Sequence, residues 1–206
     1  MKNFPAIFIL MAVTLPAWAG EPLKGGFQAS EAKDMIALSI DLNGTGLGDK
    51  PDPTEWGCGP GKPSPVAGWE CLFDGKGDGE KMGIKPYNNR WKLWKKSDAD
   101  KTYALAIRGT IGNFESIVED LLATSLPGKD VQINDKARHR FIRFNLANTA
   151  QAEVHMGFTY ALAVVMFHRS RGILNQLAKL PEGSRLYITG HSQGAAMAGQ
   201  SHEGSA

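Results

Sequence analysis

Apolar and polar positions alternate along Trp91–Lys96 and again along Tyr103–Ile107, with Ser97-Asp98-Ala99-Asp100 between them. Successive strand side chains point to opposite faces, so two period-two runs around a polar turn predict a β-hairpin. The Trp and Lys residues of the first run suit an edge strand whose lysines discourage further pairing. Base stacking on the tryptophans is the weaker reading. Downstream the period lengthens. Phe114, Ile117, Val118, Leu121 and Leu122 recur at helical spacing, in a helix opened by Asn113 and closed by Leu126-Pro127-Gly128. From Gln151 to Leu180, Phe158, Leu162, Val165, Phe167, Ile173, Leu174 and Leu177 keep to one broad stripe, with Gly172 a point of interruption. Phe141–Leu146 and Arg185–Thr189 read as strands, the first after a basic run (Lys136, Arg138, His139, Arg140) taken as solvated charge. Upstream, Ser30–Ile40 is a helix capped by Ser30, with Glu31 in its first turn, ended by Asn43-Gly44.

A strand, a long helical crossover and a second strand imply a parallel pairing, so the fold class is α/β with a mostly parallel sheet. Residues 43–89 are rich in Gly, Pro and charge without periodicity and read as a long surface loop. Asp41, Asn43, Thr45 and Asp52 echo half of an EF-hand loop, and Asp74, Asp78 and Glu80 form a second acidic turn. The Glu at the twelfth position and the exit helix are both missing, so both clusters read as solvated turns and no metal is expected.

The chain has 206 residues, 42% of them apolar, and a formal charge of +2. That is enough for one domain with a core, and it gives no reason to expect a nucleic-acid partner. Lys2, the apolar stretch Phe4–Leu15 and the Ala17-Trp18-Ala19 pattern read as a secretory leader cut after Ala19, which predicts an exported protein, secreted or periplasmic. The expected organisation is therefore a leader over residues 1–19, a Gly/Pro-rich region over 20–90 and an α/β domain over 91–206. Cys58 and Cys71 could pair in an oxidising compartment.

Candidate chemistry sits in Gly190-His191-Ser192-Gln193-Gly194. The pentapeptide follows an apolar, β-branched run and precedes Gly-Ala-Ala-Met-Ala, which reads as the start of a helix. A strand, turn and helix around G-x-S-x-G is the context of a nucleophile elbow. The turn demands glycine on both sides, and the helix N-terminus offers N–H groups to a developing oxyanion.

Four stretches in this order resemble the class 3, fungal-type triacylglycerol lipases of the α/β-hydrolase fold. They are Ala104–Thr110, Asn113–Leu122 with its Glu119-Asp120-Leu121, Val154–Phe158, and Tyr187–Gly194, together spanning about half the chain. The resemblance implies Ser192 as acyl nucleophile and Thr110 and Gln193 as oxyanion-hole donors. It implies no cofactor, and a lipid or small ester as substrate. It also implies a lid over Ile111–Leu126 that would make transient contact with a lipid interface, although a helix packed on the sheet is the preferred reading of that stripe. His155 would be structural and not the base.

In α/β-hydrolases the triad runs Ser, then Asp or Glu, then His. After Ser192 come only His202 and Glu203. If the helix continued, His202 would lie about 15 Å along its axis from Ser192. The catalytic Asp and His are therefore not expected in this chain. The polar ending Gln200–Ala206 reads as that of a truncated α/β-hydrolase-like sheet lacking its C-terminal strands, with Arg185–Thr189 as an uncovered edge, and inactive alone. The competing expectation is a secreted, non-catalytic binding protein or effector on a degenerate lipase scaffold.

Overall fold

The computed structural model describes residues 11–13, 28–43, 58–59, 64, 66–76, 90–109, 125–135, 140–147, 149, 151–168 and 171–203. Its centre is a five-stranded sheet built from β1 (Met11–Val13), β2 (Trp69–Lys76), β3 (Arg90–Lys96), β4 (Thr102–Ile107) and β9 (Arg185–Gly190), in the order β1-β9-β4-β3-β2. The expected hairpin is β3–β4, paired from Trp91↔Ile107 to Lys95↔Tyr103. Only β4 and β9 run parallel; β1–β9, β3–β4 and β2–β3 are antiparallel. The expectation of a mostly parallel sheet is therefore corrected to a mixed one. A short turn can only reverse a strand, and it takes the long crossover between β4 and β9 to bring the chain back in the same direction.

β2 is a strand where the sequence reads as loop. Its register shifts between Cys71 and Phe73, and this bulge destroys the alternation that would have announced it. β2 covers β3, so β3 is interior and Lys92 is buried rather than guarding an edge. A disulfide joins Cys58 to Cys71 and ties the incoming chain to β2. At the other side β9, expected to be an open edge, is paired by Met11–Val13, three residues of the stretch read from sequence as a leader, which a cut after Ala19 would remove.

The remaining strands form two small ribbons. β5 (Ser125–Pro127) pairs with β8 (Glu153–His155), and β6 (Val131–Asp135) pairs with β7 (Arg140–Phe144). Ser125 and Leu126 thus belong to a strand and not to the expected helix; residues 110–124 lie outside the described residues. The long helical stretch resolves into β8, α2 (Met156–Met166) and α3 (Ile173–Leu177). The break falls before Gly172, where a Cβ would lie 2.6 Å from the Met166 carbonyl oxygen.

Helices cover both faces of the sheet. Trp91, Leu93, Leu105, Ile107, Leu186 and Ile188 face α2 and α4 (Gln193–Glu203), where Leu162, Val165 and Met197 complete the larger core. On the opposite face Ala104 and Ala106 leave room for α1 (Ala29–Asn43), which inserts Met35, Leu38 and Leu42 beside Trp94 and Trp69. Each buried methylene contributes roughly 0.8 kcal/mol, so these two layers are the main source of stability.

Polar pairs fix where α1 sits. Tyr187 Oη donates to Glu31 at 2.6 Å, and Lys92 Nζ donates to Asp41, also at 2.6 Å. Lys96 Nζ lies 3.5 Å from Asp34, and the hydroxyls of Ser39 and Thr189 are 3.0 Å apart. At the rim of the sheet Arg90 grips Asp74 of β2 with two donors. Asp41 and Asp74, read from sequence as solvated turn residues, are both ion-paired.

Two predictions follow from α1 docking. Removing Asp41 leaves a nearly enclosed ammonium without its partner, so Asp41→Ala should lower the unfolding free energy by about 3 kcal/mol, measured by urea denaturation. Replacing both partners (Asp41→Leu with Lys92→Met) should recover most of that loss; a double variant as unstable as the single one would refute the ion-pair account. Burial, and next the hydrogen bond to Glu31, raise the Tyr187 phenol above its ordinary value of 10.0. Its contribution is complete below that ordinary value and is lost as pH rises through the raised folded one. Stability measured across pH 9–11 should fall less steeply in Tyr187→Phe than in the unsubstituted protein.

Candidate functional site

The parallel register of β4 and β9 ends with Ile107 opposite Gly190, so both strands leave the sheet at the same edge. From β9 the chain turns through His191 and Ser192 and enters α4 at Gln193. Ser192 has φ +55°, a left-handed conformation that a non-glycine residue adopts only when its surroundings impose it. Its residue is exposed at the surface. Three bonds hold the turn: Gly194 N–H to His191 C=O at 2.9 Å, and the N–H groups of Ala195 and Ala196 to Ser192 C=O at 3.0 and 3.3 Å.

Both glycines are required by close approach, not by their dihedrals. A Cβ on Gly190 would collide with the carbonyl of Gly194 and lie 2.8 Å from Ala195 N. A Cβ on Gly194 would collide with the Ile107 carbonyl oxygen and lie 3.0 Å from the Arg108 carbonyl carbon. The first contact closes the turn on itself; the second seats the helix N-terminus on the end of β4. The strand–turn–helix expected from sequence is therefore present, with its serine held outward at the positive end of α4.

The exit of β4 runs against this turn. A Cβ on Gly109 would lie 3.2 Å from His191 O and 3.3 Å from Gln193 N. The residue that follows, Thr110, lies outside the described residues. Gln193, the other expected donor, is buried at the first position of α4.

Arg108 carried no role in the sequence reading beyond its place in the motif. It is 4% exposed, and its backbone N–H donates to Arg90 C=O at 2.8 Å. Burial first, then the neighbouring Arg90 charge, push its guanidinium down to about 10, while Asp74 opposes them. It remains a cation at neutral pH and places positive charge at the root of the loop that meets the turn. An Arg at the end of an apolar strand was the available signal, but the Asp74 charge that acts on it lies on β2, which the sequence hid.

No histidine among the described residues is hydrogen-bonded to Ser192. His155 caps α2: its Nδ1 accepts from Phe158 N–H at 3.4 Å, and its ring stacks on Phe158 at 4.3 Å. Its Nε2 is buried without a partner. His168 accepts from Arg171 N–H through Nδ1 at 3.1 Å. His191 is exposed on the turn itself, and the side chains of His202 and Glu203 lie outside the described set. Among the described residues no group of three or more His, Cys, Asp or Glu is arranged to hold a metal ion.

The packing of the two glycines can be tested directly. Gly190→Ala and Gly194→Ala should each destabilise the protein by about 3 kcal/mol, because backbone must move to admit a methyl group. Gly199→Ala, in the same helix with open space around its Cα, should be neutral or stabilise by about 0.5–1 kcal/mol. Equal effects at all three sites in urea denaturation would sink the close-packing argument.

Comparison with known proteins falls on these same elements. No curated protein and no solved structure gives a significant match to the chain. Residues 104–200, a little under half of the chain, match the family model described as lipase (class 3). The stretch from β4 through the serine turn into α4 is therefore similar to class 3 lipases.

Proposed function

We propose that the protein is a carboxylic ester hydrolase of the class 3 lipase type, acting on lipid esters with Ser192 as the nucleophile. The observation that carries this reading is Ser192 at φ +55°, exposed at the start of α4 between two glycines that cannot bear a Cβ. In the proposed mechanism the Ser192 hydroxyl attacks the ester carbonyl and the alcohol leaves, giving an acyl-enzyme that water then hydrolyses. The N–H groups of Gln193 and Thr110 receive the oxyanion, each donor contributing about 3 kcal/mol to the barrier. Gly109 against Gln193 supports this assignment, since it brings the chain leading to Thr110 beside the turn. The buried Arg108 cation favours the same negative charge. The mechanism uses no cofactor.

The attack also needs a base and a carboxylate to orient it. The described histidines His155 and His168 already spend a ring nitrogen on backbone N–H groups. We therefore propose that this chain by itself turns over slowly. The same observation favours a second reading, a non-catalytic binding protein that keeps the turn as structure. The apolar leader pattern of residues 1–19 supports export, and so does the Cys58–Cys71 disulfide, a bond that persists in oxidising compartments.

Chemical rescue separates the two readings. An activated short-chain ester such as p-nitrophenyl acetate should be hydrolysed slowly, and added imidazole should accelerate the reaction by supplying the base. Both the residual and the rescued rates should vanish in Ser192→Ala. Loss of the base alone costs up to about a millionfold, while an intact oxyanion hole can retain about a thousandfold over water. A rescued rate indifferent to Ser192→Ala would favour the binding protein, and a full lipase rate without imidazole would overturn the proposal of slow turnover.

A further inference from the structure

The chain that packs against the serine turn is held by a backbone bond at the limit of the sheet. Arg90 is the first residue of β3, and the β3–β4 register ends with Trp91 opposite Ile107. One bond continues it, from Arg108 N–H to Arg90 C=O at 2.8 Å. Directly after that bond the chain meets the turn. A Cβ on Gly194 would lie 3.0 Å from the Arg108 carbonyl carbon, and one on Gly109 would lie 3.3 Å from Gln193 N. The Arg108–Gly109 segment is therefore the neighbour of the Gln193 N–H, an oxyanion donor in the reaction proposed above.

The last bond of a ladder is the first to open, because it is supported from one side only. Here a pair of side chains closes it. Arg90 reaches diagonally to β2, where Asp74 stands opposite Lys92. Its Nε donates to one carboxylate oxygen at 2.7 Å and its Nη2 donates to the other. The two side chains are 11% and 18% exposed, so water screens the pair less than it would at the surface. Arg90 and Asp74 also act in opposite senses on the Arg108 guanidinium, and removing the carboxylate would leave two neighbouring cations to repel each other. On the other face of the sheet Phe73 stacks on Trp91 at 5.2 Å, and Gly75 lies against the Trp91 ring where a Cβ would collide. These contacts hold β2 on β3 without the ion pair, so its loss frees the strand end and not the strand.

We propose that Asp74 and Arg90 are positioning residues for the serine turn. Their pair pins the end of β3, the Arg90 carbonyl holds Arg108, and the Arg108–Gly109 segment keeps its place beside the Gln193 N–H. The consequence for rate rests on the ester-hydrolase reading; the consequence for the backbone does not.

Two readouts on the full chain test it. The first is hydrogen exchange of the Arg108 amide, followed by NMR. Asp74→Asn and Arg90→Gln should each speed it about ten-fold, while amides in the middle of β4 keep the parent's rates. The second is imidazole-accelerated hydrolysis of p-nitrophenyl acetate. The same variants should lower its maximal rate by about ten- to a hundred-fold, short of the roughly thousand-fold cost of losing a whole donor, with KM within about two-fold of the parent's. Arg90→Lys keeps the charge and one donor and should fall between. Lys96→Gln breaks the pair with Asp34 at the far end of β3 and should match the parent in both readouts. Parent-like exchange at Arg108 in Asp74→Asn and Arg90→Gln would overturn the proposal. So would faster exchange with an unchanged maximal rate, a loss carried by KM alone, or an equal loss in Lys96→Gln. Should Asp74→Asn not fold, Arg90→Lys carries the same comparison. A parent without any Ser192-dependent esterolysis would remove the hydrolase, and the exchange at Arg108 would still decide whether the pair pins the strand end.

Discussion

The contact between Gly194 and the carbonyl of Ile107 constrains the site more than any other. It can form only because β4 and β9 run parallel and end in register, Ile107 opposite Gly190. With no side chain at position 194, the first turn of α4 rests directly on the end of β4. That fixes the helix axis relative to the sheet and aims its N-terminus at the strand edge. It also leaves the intervening residue, Ser192, no route but a left-handed one. The strain at Ser192, a cost of roughly 1–2 kcal/mol for a left-handed non-glycine residue, is sustained by packing on both sides of it.

The two helical layers hold this register in place by different means. The α2/α4 side is apolar and non-directional, with Leu105, Ile107, Leu162 and Met197 in one continuous core. Such a core resists separation but specifies sliding only weakly. The α1 side adds direction: Glu31, Asp34 and Asp41 each meet a donor on the sheet, and Ser39 meets Thr189 of β9. Asp41 and Lys92 are desolvated together, so the pair contributes little net stability compared with an apolar one, but displacing α1 would strand a charge. Polar pairing here selects one placement of α1 among several that burial alone would allow.

The loop leaving β4 joins the charge cluster to the serine turn. Arg108 sits among Arg90 and Asp74, and Gly109 next to it touches the turn. An uncompensated buried guanidinium would be costly, and Asp74 on β2 is one charge that offsets it. The antiparallel half of the sheet, far in sequence from the serine, thus bears on the electrostatics at the serine's edge. The β6–β7 ribbon is separate from this cluster, being rooted on α2 and the Gly128 carbonyl.

The sequence by itself determined the local pieces whose signals are short in range. The β3–β4 hairpin followed from alternation around a polar turn, α1 from its apolar spacing although it starts at Ala29 and takes in Ser30, the expected cap, and the serine turn from two glycines at fixed offsets between a β-branched run and an alanine-rich one. These depend on neighbouring residues and survive without knowledge of the rest. Only the tertiary structure decided what those pieces meet. β2 was invisible because its bulge breaks the period at Cys71–Phe73. Lys92 read as an edge lysine until β2 and α1 enclosed it, and Asp41 and Asp74 read as turn acids until Lys92 and Arg90 came within reach. The long crossover between β4 and β9 fixes only that pair as parallel; β1–β9, β2–β3 and β3–β4 are antiparallel, and only the assembled sheet shows it. The glycines at 190 and 194 were legible as a turn, but the reason that 194 admits no side chain is a carbonyl 87 residues earlier in the chain, at Ile107, and no local pattern carries that information.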